Sequence, residues 1–161
     1  MDTLSEGFVE KTWQQVAEFT PDKADKEMIA MGKNQPDLLA FLMTYTDDLH
    51  QEVKELAIYI AFVVYKMFLD SSGKIPKISG KEIMARYDEN IRFVESLEGA
   101  NEKFIDRIAN IQVPKQPYVM KYVLEALMED AEEDGINLTE EDIGSLFMLF
   151  KTEIEVLDQT A

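Results

Sequence analysis

The sequence predicts an all-α chain: one domain of about eight helices forming a helical bundle from two related helical-hairpin halves, on three observations. Apolar residues recur at three- and four-residue spacing through nearly every segment, the period that puts them on one face of a helix. Residues that cap helices stand at most segment boundaries. A stretch of the first half also returns in the second. Gln35–Met43 reappears 81 residues later as Gln116–Leu124, with apolar character kept at every apolar position after Pro except Ala40. Leu56–Asp70 and Gly144–Asp158 match in pattern too, and both end Leu-Asp. Such self-similarity is what a duplicated helical unit leaves behind.

Thr3-Leu4-Ser5-Glu6 reads as a capping box, and the first helix follows to about Phe19. Its Val9, Trp13 and Val16 share a face widened by Phe8 and Ala17, which makes Trp13 a core anchor. Thr20-Pro21-Asp22 starts a second helix, because proline fits the first helical position, where its missing N–H costs nothing; Gly32 ends it. Pro36 opens a short third helix carrying Leu38, Leu39, Phe41 and Leu42. After the turn Thr46-Asp47-Asp48, a fourth helix runs to about Leu69. Its β-branched content suits a strand, but Glu52 to Asp70 holds no turn residue and is too long for an ordinary one.

Residues 71–78 combine Ser, Gly and Pro without periodicity and read as a linker between halves of about 1–70 and 79–161. Ser79-Gly80-Lys81-Glu82 is a second capping box, followed by Ile83, Tyr87, Ile91, Val94 and Leu97 at helical spacing until Gly99. A sixth helix carries Phe104, Ile108 and Ile111 and is ended by Pro114. Pro117 starts the seventh, which reaches about Glu133. Thr139-Glu140-Glu141-Asp142 caps the eighth, with Ile143, Leu146, Phe147, Phe150, Ile154 and Leu157 as its buried side.

Composition excludes several function classes. With 161 residues and no Cys there is no thiol nucleophile, thiolate metal site or redox switch, and nothing calls for an oxidising compartment. The start, Met1 to Glu6, has neither the basic residues nor the apolar core of a secretion signal, so a cytoplasmic location is expected. The ten-residue apolar run Leu56–Tyr65 falls far short of the roughly 20 residues that span a bilayer, so no membrane partner is expected. A helix so apolar all round must be covered on every side, by the bundle centre or by a homodimer interface.

The net charge of −16 is unevenly placed: Tyr122 to Ala161 hold twelve acids and one base, Lys151. Nucleic-acid binding rests on lysine and arginine displacing counterions, so a chain of this sign is not expected to bind DNA or RNA. A basic protein partner fits the charge.

Asp130 to Glu141 has the outline of a calcium loop, with acids at positions one, three, five and twelve and Gly135 at six. Glu132 at position three crowds the ion, however, and Asn137 takes the place of the usual apolar residue at eight; a helix end at Gly135 and a helix start at Thr139 explain the same residues. No metal site is assigned. Glu129-x-x-Glu132 with Glu155-x-x-Asp158 resembles the paired acidic motif of all-α nucleotide pyrophosphohydrolases, over four residues in about thirty. The resemblance implies carboxylates on facing helices that hold Mg²⁺ against a nucleotide's phosphates, and gives the alternative function, a Mg²⁺-dependent hydrolase.

His50 is the only histidine, which rules out multi-histidine zinc and di-iron sites, and no serine stands in a nucleophile elbow. The nine methionines suit core filling. The sequence therefore reads as a non-catalytic helical protein-interaction module, with no catalytic residues and no cofactor. Its partner-binding acidic face is Glu132, Glu133, Asp134, Glu140 and Glu141.

Overall fold

A computed structural model of the chain describes residues 2–96 and 115–161, and these are all-helical, with no strand among them. The helices are α1 (Glu6–Ala17), α2 (Pro21–Asn34), α3 (Pro36–Thr44), α4 (Gln51–Ser72), α5 (Gly80–Ser96), α6 (Pro117–Glu125) and α7 (Glu140–Thr160). A π-helical turn, Ala126–Asp130, and a last α-helical turn, Ala131–Glu133, continue α6. Seven helices thus stand where about eight are expected; the expected sixth, with Phe104, Ile108 and Ile111, lies outside the described residues.

Local chemistry sets most of the boundaries. Thr20 and Thr139 cap α2 and α7, accepting hydrogen bonds from the Lys23 and Asp142 N–H at 3.2 and 3.0 Å. At α1 the cap is Ser5, whose hydroxyl accepts from the Phe8 N–H at 3.1 Å, and not the expected Thr3. Thr3 is free to donate to the Lys115 carbonyl instead, at 2.7 Å. Gly32 does not end α2, which continues to Asn34; a Cβ at that position would come within 3.2 Å of Leu39, so the glycine serves the close approach of α3. Gly73, at φ 79°, ends α4 in the left-handed conformation that a side chain would disfavour.

The core is one continuous cluster around α4 and α7, which pack against each other. Helix α4 also touches α1 and α3, and α7 also touches α5 and α6. The neighbours that the apolar circumference of α4 demands therefore come from its own chain; Ile60 to Phe68 are all buried. Helix α1 bridges α4 and α6, and helix α5 bridges α7 and α3. Leu38, Phe41, Leu42, Phe62, Val119, Val123, Phe147 and Phe150 are buried, whereas Trp13, read from the sequence as a core anchor, is 38% exposed. Its periodicity is right, but it borders an open cleft with Tyr118 and Tyr122 of α6.

Residues 73–79 do not behave as a free linker. Ile75 and Ile78 are buried, and the fully buried side chain of Gln35 clamps the segment: its amide donates to the Ile75 and Pro76 carbonyls at 3.1 and 2.9 Å, and its oxygen accepts from the Ile78 N–H at 3.0 Å. Gln116, equally buried, does the same for the chain start. It accepts from the Leu4 N–H at 3.0 Å and donates to the Asp2 carbonyl at 3.0 Å and the Asp158 carboxylate at 2.8 Å. Both glutamines precede a proline and share one backbone conformation, φ/ψ −134/64° and −132/61°.

Other polar groups are buried too, among them Lys66 of α4, which pairs with Glu27 and Asp70 at 3.3 and 3.2 Å. Between α5 and α7, buried Asn90 donates to Thr152 at 3.0 Å and accepts from Lys151 at 2.7 Å, while Lys151 also pairs with Glu155 at 2.7 Å. Glu153 is fully buried, and neither of its carboxyl oxygens has a hydrogen-bond partner among the described residues. Burial pushes its carboxyl well above the usual carboxylate range, since the charged form cannot be solvated there. Burial likewise raises the Tyr122 hydroxyl, with the nearby Tyr59, Asp130 and Glu153 adding to the effect.

Candidate protein-interaction surface

The acidic hairpin is built from the end of the extended α6 and the start of α7. The Gly135 N–H donates to the Glu132 carbonyl at 3.1 Å and the Ile136 N–H to the Ala131 carbonyl at 2.8 Å, with Gly135 at φ 74°. This paired closure satisfies the last carbonyls of the helix. Three residues on, Thr139 and Asp142 form a reciprocal capping box at the start of α7. Replacing Thr139 by Ala is expected to cost about 1 kcal/mol in urea unfolding, the usual value of a lost cap.

Glu132, Glu133, Asp134, Glu140 and Glu141 are all exposed and enter no ion pair among the described residues. Their positions differ in electrostatic sense. Glu140 and Glu141 lie in the first turn of α7, where the positive end of the helix dipole favours a carboxylate. Glu132, Glu133 and Asp134 lie at the C-terminal end of the α6 segment, where the dipole disfavours one. The helix dipole does not favour those three charges.

Structure adds residues that the sequence reading missed. A groove of about 460 Å³ separates the hairpin from the first turns of α4, lined by Glu52, Glu55, Leu56, Tyr59, Asp134 and Ile136 among others. Leu56 and Ile136 are apolar surfaces packed against the core, Tyr59 is 43% exposed, and Glu52 and Glu55 are exposed. Burial on its inner side raises the Tyr59 hydroxyl above the ordinary tyrosine range. The missed signal was present: Glu52, Glu55, Leu56 and Tyr59 follow at three- and four-residue intervals and so share one face of α4. The arrangement can hold an extended basic segment, with an apolar floor for aliphatic stems and carboxylates on both walls for cationic heads.

The carboxylates of the hydrolase-like motif are distributed differently. Glu129 and Glu132 are exposed; Glu155 pairs with Lys151 and lies 3.7 Å from Arg86; Asp158 is buried and accepts from Gln116. Among the described residues, no group of three or more His, Asp or Glu side chains is placed to hold a metal ion. His50 is exposed at the start of α4, where its side chain makes no capping hydrogen bond. No described helix is long and apolar enough to cross a membrane. Comparison of the chain with protein-family models, curated proteins and solved structures finds no match.

Proposed function

We propose that the chain is a non-catalytic protein-interaction module that receives a basic segment of a protein partner in the acidic groove between α4 and the C-terminal hairpin. The carrying observation is the placement of Glu132, Glu133 and Asp134, exposed, without ion-pair partners among the described residues and at the helix end where the dipole disfavours them. Charge kept at a local cost is explained by recognition: clustered carboxylates speed encounter with an oppositely charged surface and reject nucleic acid. The same sign disfavours binding to anionic lipid.

We further read the bundle as two related halves, with α1 to α4 answering to α5 to α7. Support comes from the matching glutamine clamps, from Leu4-Ser5 and Ile78-Ser79 occupying the same place before a helix, and from the crossed packing of α1 on α6 and α5 on α3.

Reversing Glu132, Glu133 and Glu140 to Lys tests the binding reading. The fold should be unchanged by circular dichroism, because all three side chains are exposed. Association with an oligoarginine peptide at low ionic strength should slow by about tenfold or more, since steering of this kind is worth 10- to 1,000-fold in rate. Association unaffected by both reversal and salt would contradict the proposal.

A further inference from the structure

Within the proposed pairing of the halves, the contact of α3 with α5 answers to that of α6 with α1. In the contact of α3 with α5, Phe41, Tyr45 and Tyr87 form a ring cluster, with centroids 5.0, 5.3 and 4.8 Å apart. At the 81-residue offset, Phe41 answers to Tyr122 and Tyr45 to Ala126; by the alignment of Leu4 with Ile78, Tyr87 answers to Trp13. No ring of α6 stands at the Tyr45 position, since Ala126 is buried there. A cleft of about 240 Å³ is left between α1 and α6, lined by Trp13, Tyr118 and Tyr122 with the carboxylates of Glu10 and Glu125. Among the described residues the one cation lining it, Lys121, is held by Glu6 at 3.0 Å. Glu10 takes no more than a long bond from Gln14, 3.4 Å, and Glu125 has no ion-pair partner among the described residues.

We propose that this cleft receives an arginine side chain of the basic partner. Aromatic rings attract a cation through their negative faces, a planar guanidinium stacks on them, and a carboxylate at the rim can take its N–H groups. An anion is repelled by this combination, and a neutral planar group lacks the charge terms that a guanidinium gains. The cleft also neighbours the acidic groove: Tyr122 lines the cleft, and Tyr59, close enough to raise the Tyr122 hydroxyl further, lines the groove. The inference rests on the proposed binding of a basic partner and adds a specific receptor for one side chain.

Trp13 is the only tryptophan, so its fluorescence reports on the cleft directly. Titration with an oligoarginine peptide should change that fluorescence saturably, whereas the uncharged citrulline peptide of equal length should not. Tyr118→Ser and Glu125→Gln, both at exposed positions, should each weaken the response by about two- to fivefold, the range expected for one exposed cation–π or charge contact. The response should persist, at higher peptide concentration, in the protein with Glu132, Glu133 and Glu140 reversed to Lys. No saturable change, an equal change with citrulline, or full response in both cleft variants would overturn the proposal. Hairpin reversal that leaves affinity intact while the cleft variants weaken it would instead overturn the groove and leave the cleft standing.

Discussion

Replacing Gln35 by Ala is expected to lower the unfolding free energy by about 3–5 kcal/mol, because each buried polar group left unpaired costs roughly 1–3 kcal/mol and this side chain serves three. The Ile78 N–H and the Ile75 carbonyl are buried and lose the partner that Gln35 supplies, while the Pro76 carbonyl is half-buried and can hydrate in part. Segment 73–79 then detaches, and with it the start of α5, whose Gly80 N–H is also held by Asp37 on α3 at 3.0 Å. Gln116→Ala should cost a similar amount through the chain start. Urea unfolding checks both, with the slope against denaturant unchanged if the denatured state is unaltered. A loss below about 1 kcal/mol for both variants would mean that the clamps merely accompany the packing.

Replacing Glu153 by Met, unbranched and close in size, is expected to raise stability by about 2 kcal/mol at neutral pH, because a buried carboxyl without hydrogen bonds costs roughly 1–3 kcal/mol. The gain should depend on pH in a defined direction. The folded carboxyl holds its proton more tightly than the unfolded one. Below the ordinary glutamate range both states are protonated, and the cost of ionisation is absent. As pH rises through that range the unfolded chain ionises and the folded chain does not, so stability falls until the folded carboxyl itself ionises. The methionine variant lacks this slope, and its advantage over the native chain should widen as pH rises from about 4 to 7. The difference between the two proteins isolates Glu153 from the general repulsion of a chain of charge −16, which acts in the same direction in both.

The helices and much of the core were legible because capping and periodicity are local. Thr20, Pro21, Pro36, Thr139 and the buried face of α7 all stand where the sequence puts them. What escaped was set by distant partners. Trp13 has a core residue's spacing, but its exposure is set by a cleft it shares with Tyr118 and Tyr122, more than a hundred residues away. Gly32 looks like a helix end because its real role, admitting Leu39, appears only once α2 and α3 are packed. The linker is polar and Gly-Pro-rich, as a free segment would be, and Gln35 gives no sign of holding it. The π-helical turn within the extended α6 leaves no mark in composition. Of the candidate surface, the hairpin carboxylates were visible as a charge cluster, whereas Glu52, Glu55 and Tyr59 join them only through the fold.

The central claim is that binding is localised to the acidic groove and does not follow from net charge alone. Backbone amide shifts measured by NMR during titration with an oligoarginine peptide test it most directly. The account predicts saturable shifts concentrated at Glu52, Glu55, Tyr59 and residues 132–141, with a second group at Trp13 and Tyr118. Shifts spread evenly over every acidic face, including Asp22, Asp25 and Glu89 on α2 and α5, and removed uniformly by salt, would contradict it.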